Sequence, residues 1–212
     1  MGERITVQVF RGLSQSEFRA AWERAVAELR GAVRWDTDPE PPMYSLRTVQ
    51  GDGVTSVLLP RYPGHFPLCA KVAEMHALAW MALRIQEGSL WDYTLMHGAD
   101  VVDQFSTLPE YWDGDDPQAR DRNKGDSALL ARLWSVPQNR IKRYLTHWGY
   151  EVTSDTCYNT TRCGKAYPDD QHEYGDIWQM VDFLHSIGGD YPVQEIGVGQ
   201  QHAMMVPMPP HT

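Results

Sequence analysis

Asp92, Tyr93, His97 and Asp103 are of the types that move protons, and they crowd into one short stretch, "LWDYTLMHGADVVDQFS". Burial penalises the charged form of a carboxyl, so an Asp set in an apolar wall has its pKa raised toward neutrality. A phenol and an imidazole beside it would complete a general acid/base set. The same residues have a plainer structural reading, an Asp bonded to a backbone amide or a tyrosine hydroxyl, and that reading is preferred. Trp91, Tyr111, Trp112, Asp113, Asp115 and Asp116 form a second group, a binding surface whose rings and carboxylates suit docking on a basic partner.

Metal chemistry has little support. Asp113, Asp115 and Asp116 lack the periodic ligand loop of a calcium site, and Cys157, Cys163 and His172 lack the spacing of a zinc finger. Met204, Met205, Met208, His202 and His211 read as a Met- and Pro-rich end. No metal and no cofactor is expected. Phosphate loops, dinucleotide fingerprints, nucleophile elbows and zincin helices are all missing from the sequence.

The elements that must position these groups follow from periodicity. "RITVQVF" alternates as an opening strand, and Ser14 and Glu17 have capping-box spacing ahead of the stripe Phe18, Ala21, Trp22, Ala25, Val26 and Leu29. "DTDPEPP", residues 36–42, is a Pro-rich acidic connection. "MYSLRTV" and "VTSVLLP" then form a hairpin around "QGDG", and after the "PRYPGHFP" loop Leu68, Val72 and Met75 keep helical spacing. Met81, Leu83 and Ile85 alternate with Ala82, Arg84 and Gln86. "EGS" turns the chain, Trp91, Tyr93 and Leu95 alternate in turn, and a glycine turn leads into "DVVDQFS", which makes a three-stranded meander.

Two registers are open for the last hairpin. A three-residue turn, His97-Gly98-Ala99, pairs Leu95 with Val101, Tyr93 with Asp103 and Trp91 with Phe105, so every bulky group shares a face. A two-residue turn sets Asp92 opposite Asp103, like against like. The first is preferred, and in either Asp103 is the odd residue among rings. "YEVTSDTCYNTTRC" supplies one strand, and "YPVQEIGVG" is placed back in the sheet.

The expected fold is therefore α+β: a mostly antiparallel sheet, with hairpin 43–59 and meander 80–106, packed against helices over 14–30, 68–78, 126–134, 137–148 and 176–187. A single compact domain is expected over 1–212, with a long acidic loop at 109–125 and a loose tail at 201–212.

Composition bounds the partners. The 212 residues carry 42% hydrophobic side chains, eight Trp and ten Tyr, enough apolar surface for a well-cored fold without staples. A formal charge of −9 works against phosphate backbones and anionic lipid, so neither nucleic acid nor membrane is expected as a partner. With three cysteines, no apolar stretch approaching the ~20 residues of a membrane span and no leader-like start, a cytoplasmic protein with reduced thiols is expected. The preponderance of Arg over Lys suggests a GC-rich bacterial source.

The segment "LWDYTLMHGADVVDQFSTLPEYW" resembles a pattern found in uncharacterised bacterial proteins: W-x-Y-x-L, a glycine turn, V-D-x-F, then P-x-Y-W or P-x-Y-F. "GDSALLARLWSV" and "IKRYL" are similar to the helical region that follows it. The resemblance spans residues 68–148 and implies a shared fold module, with no activity attached.

Two functions remain open. The first is a cytosolic protein-binding or regulatory module of immunity type, which engages a basic surface through acidic and aromatic groups. The second is a small-molecule enzyme, of lyase or cyclase type in specialised metabolism, with a carboxylate acid/base in an aromatic-lined pocket. The sequence leaves enzyme status and oligomeric state undecided.

Overall fold

The structure, a computed structural model, describes residues 4–28, 32–36, 45–59, 65–113, 116–154, 157–160, 162–192 and 201–206. For 32–36, 45, 65, 112–113, 150–154, 157–160 and 201–206 it describes the backbone alone. The expected connection at 36–42, the loop before the second helix, Asp115 and most of "YPVQEIGVG" lie largely outside these residues.

The chain is α+β and divides into two compact units, where a single domain was expected. One unit comprises 5–82, 96–100 and 188–212, and the other 1–4, 83–95 and 101–187. Among the described residues no helix is long and apolar enough to cross a membrane.

The first unit contains β1 (Ile5–Arg11), α1 (Gln15–Glu28), β2 (Ala32–Asp36), β3 (Ser45–Gln50), β4 (Val54–Leu58), α2 (His65–His76) and β10 (Gln201–Val206). Its strands run in the order β2-β10-β3-β4-β1, and the pairings β1–β4, β3–β4, β10–β3 and β10–β2 are antiparallel. The stretch expected as a loose tail thus contains a strand paired on both sides, Ala203 lying between Trp35 and Leu46.

Helix α1 begins where its capping box predicts. The Ser14 backbone N–H donates to Glu17 Oε2 at 2.8 Å and the Glu17 N–H to Ser14 Oγ at 3.3 Å, two donors that the helix itself leaves unsatisfied. The Ser14 hydroxyl and then its backbone N–H hold the Glu17 carboxyl below its ordinary pKa. Ser14→Ala is expected to lower unfolding free energy by about 1 kcal/mol in urea denaturation. The stripe Phe18, Ala21, Trp22, Ala25 and Val26 is buried, with Phe18 5.3 Å from Phe10 and 5.5 Å from Trp22 between ring centroids. From α2, Leu68, Cys69, Val72 and Ala73 join the same core, where burial raises the Cys69 thiol pKa.

The second unit is built on the meander. Strands β5 (Ala79–Gln86), β6 (Leu90–His97) and β7 (Asp100–Ser106) lie side by side in that order, so β7 is an edge among the described residues; the unit boundary falls inside each of the three strands. Then come α3 (Glu110–Asp113), α4 (Ala119–Arg122), α5 (Ser127–Trp134), the hairpin β8 (Tyr150–Ser154) with β9 (Cys157–Thr160), and α6 (Gln179–Ser186). The expected acidic loop therefore carries two short helices, and the expected lone strand near 150 is a hairpin.

Two local expectations are corrected. The hairpin turn is neither version drawn from the sequence: β6 runs through His97 and β7 starts at Asp100, so only Gly98 and Ala99 turn the chain. Gly98 has φ of 62° and Ala99 is not among the positive-φ residues, a pattern that places glycine first, as in a II′ turn. Val101, expected on the apolar wall, is 53% exposed, while Asp103 and Phe105 share the face of Tyr93 and Trp91.

The helix expected over 137–148 is replaced by a 3-10 turn at Gln138–Arg140 and further turns. Ile141, Tyr144 and Trp148 are buried as their spacing requires, yet Trp148 N–H donates to Thr107 O at 2.9 Å and the Tyr144 hydroxyl bonds Asp170. These long-range bonds replace the local ladder that would have continued a helix.

Candidate functional site

The two faces of the meander differ because successive side chains of a strand point to opposite sides. On one face Trp91 and Phe105 lie 5.1 Å apart, Tyr93 and Phe105 5.8 Å, and Phe183 of α6 stacks on both Trp91 (5.2 Å) and Tyr93 (5.9 Å). Leu95 is also fully buried. The Trp91 and Trp148 indole N–H groups donate to Gln179 Oε1 at 3.4 and 3.3 Å, which accounts for a glutamine inside the core. Trp91 and Tyr93 are therefore core, not surface.

Asp103 is half-buried against these rings. Its Oδ2 accepts from the Tyr93 hydroxyl at 2.6 Å and from the Asp126 backbone N–H at 2.9 Å. Asp126 in turn caps α5, Oδ1 accepting from Ala128 N–H at 2.9 Å and Leu129 N–H at 3.0 Å. One carboxylate thus ties β6, β7 and the start of α5 together. Burial, and then the Asp103 charge, push the Tyr93 phenol pKa well above its ordinary value, so it stays a donor.

Gly125 stands beside this clamp with φ of 68°, and a Cβ there would sit 2.8 Å from Tyr93 Oη and 3.2 Å from Phe105 Cβ. Gly125→Ala is expected to cost about 1–3 kcal/mol in denaturant unfolding, through left-handed backbone strain and the collision with the tyrosine.

The opposite face is polar. Arg84 Nε donates to Asp92 Oδ1 at 2.5 Å and Arg84 Nη2 to Thr94 Oγ1 at 2.9 Å, joining β5 to β6. An open cleft of about 260 Å³ lies here, lined by Arg84, Gln86, Asp92, Gln104, Ser106, Pro109 and Asn123 among others. Asp92 is 6% exposed; desolvation raises its pKa, while the Arg84 charge and hydrogen bonds from Arg84 and Gln86 oppose the shift. A raised pKa means the fold favours the protonated acid. Its contribution to stability is full below the unfolded value and is lost as pH rises through the folded one. In thermal melts, the advantage of the native chain over Asp92→Asn is expected to shrink as pH increases across that window, and a constant difference would contradict the shift.

The remaining sequence candidates do not converge on either place. His97 is exposed at the end of β6 and belongs to the other unit. Tyr111 is half-buried, the side chains of Trp112 and Asp113 and all of Asp115 lie outside the described residues, and Asp116 is ion-paired to Arg122 Nη1 at 2.7 Å. The Gln118 backbone N–H and the Arg122 hydrogen bond hold the Asp116 carboxyl below its ordinary pKa. Glu110 likewise pairs with Arg120, and Asp121 lies 3.5 Å from Lys124, so much of the acidity expected here is matched locally.

No family model, curated protein or solved structure matches the chain.

Sequence reasoning missed Arg84, Gln86, Gln104, Ser106 and Asn123 as a group. A signal was present: Arg84 and Gln86, Asp92 and Thr94, Gln104 and Ser106 are the polar alternates of three consecutive strands. His147 was also missed. It is half-buried, its ring 6.1 Å from Phe105 and Nε2 3.2 Å from Asn123 O, and burial lowers its pKa. No group of three or more metal-ligating side chains occurs among the described residues.

Proposed function

We propose that the chain is a protein-binding, regulatory module of the immunity-like kind, not a catalyst. The observation that supports this reading is the engagement of Asp103: its carboxylate holds Tyr93 and the α5 cap, and the rings around it close on Phe183. The cleft on the opposite face is open, polar and about 260 Å³, below the ~300–1,000 Å³ that encloses a typical small ligand. Amide, hydroxyl and guanidinium groups along an open surface suit the backbone and polar side chains of another protein.

Asp92 favours a second reading. A carboxyl with a raised pKa in a cleft is a candidate general acid, and a small-molecule enzyme of lyase or cyclase type would place its substrate against Asp92 and Arg84. Purification of the tagged chain from its native host, with mass spectrometry of bound proteins and metabolites, separates the two. A stoichiometric protein partner is the result expected. A retained metabolite with no protein would overturn the binding reading in favour of catalysis.

A further inference from the structure

We infer that the outer edge of β7 at Val101–Gln104 accepts an extended segment of a partner protein, apolar and basic in alternation, as an added strand. The inference rests on the protein-binding reading above and gives it a place.

Half of the edge is already covered by the chain itself. Phe105 bridges Lys124, Gly125 N–H donates to Gln104 O at 2.9 Å, and Ser106 N–H donates to Asn123 O at 3.1 Å. In an antiparallel ladder each residue sends its N–H and C=O to one side, and the side alternates along the strand. Gln104 and Ser106 therefore face outward.

The covering segment stops before it reaches Val102. At Asp126 the backbone N–H turns away from the ladder and donates to the Asp103 carboxylate, and α5 begins. Beyond Gln104, toward Val101, no strand lies outside β7 among the described residues. Val101 is 53% and Val102 39% exposed; with Phe66 they are the exposed large hydrophobics among the described residues. An open edge flanked by apolar side chains is a template for another strand unless something blunts it.

Charge selects the occupant. The carboxylates of Asp103 and Asp126 stand where the covering segment leaves the edge. A second copy adding its own β7 would bring the same acids to this place, like against like, whereas a segment with Lys or Arg between apolar residues meets opposite charge.

The test uses the whole chain and two blocked peptides, one alternating valine with lysine and arginine, the other with glutamate in place of the basic residues. Binding is read by fluorescence anisotropy and by amide exchange at Val102. The basic peptide is expected to bind and protect the Val102 amide, with the acidic one roughly tenfold weaker or worse. Val102→Pro removes a backbone donor from the uncovered stretch of β7, and Val101→Lys replaces an exposed valine with a repelling charge. Each is expected to weaken the basic peptide by about tenfold or more with an unchanged melting temperature, and the second keeps the test valid if the proline disturbs the strand.

Equal binding of both peptides, equal binding by the variants, or no protection of Val102 would overturn the inference. So would a concentration-dependent dimer that Val102→Pro abolishes, since the occupant would then be a second copy. If a partner recovered from the native host stays bound to Val102→Pro, the edge is wrong and the binding reading stands; if the native chain retains no protein, the binding reading itself fails.

Discussion

Trp91→Ala is expected to lower the unfolding free energy by about 3–5 kcal/mol, the largest effect of any single substitution considered for this protein. Trp91 is fully buried between Phe105 and Phe183, and its indole N–H is bonded to Gln179. Removing it leaves a cavity that rings held at both the sheet and α6 cannot fill without moving. Trp91→Phe keeps most of the ring contact and loses the N–H donor, so its cost should be clearly smaller. Urea denaturation of both variants reads the difference; near-equal costs would mean that the hydrogen bond, not the packing, is what Trp91 supplies.

Asp103→Ala is the second large effect, expected at roughly 2–5 kcal/mol. It removes the acceptor of two donors at once and leaves the hydroxyl of a fully buried Tyr93 without its partner. Asp103→Asn retains a side-chain oxygen that can accept one of the two, and should cost less. Both variants also remove one of the two carboxylates at the β7 edge, so weaker binding of a basic partner segment is expected beside the lost stability. A catalytic Asp103 would behave differently: the asparagine variant would stay folded and lose turnover.

The parts of this architecture that were readable in the sequence are those specified by neighbours along the chain. The capping box of Ser14 and Glu17 and the stripe from Phe18 to Val26 predict α1, and the alternation of Met81, Leu83, Ile85 and Trp91, Tyr93, Leu95 predicts the meander. Periodicity of 3.6 or 2 is a local property, and it survives folding. The clamp was half legible: Asp103 is marked as anomalous by its place among rings, and Tyr93 is the right partner, while the Asp126 amide arrives from beyond a stretch whose path no periodicity describes.

What failed was set by contacts distant in sequence. Ile141, Tyr144 and Trp148 have helical spacing and are buried, but Thr107 and Asp170 bind this stretch into turns instead. Val101, expected on the apolar wall beside Leu95, lies in solvent near the Gly98–Ala99 turn, while Asp103 and Phe105 keep the face of Tyr93 and Trp91. The place of β10 between β2 and β3 depends on pairing between segments far apart in the sequence. Arg84 was legible only as a polar alternate of its strand, and its ion pair with the candidate Asp92 exists because the hairpin sets the two side by side.

The direct test of a structural Asp103 is a double-mutant cycle of Tyr93→Phe and Asp103→Asn, read as unfolding free energies in urea. A buried hydroxyl–carboxylate bond that helps hold the fold predicts a coupling of about 1–3 kcal/mol between the two positions. Additive costs, with no coupling, would contradict the clamp and return Asp103 to the pool of groups available for chemistry.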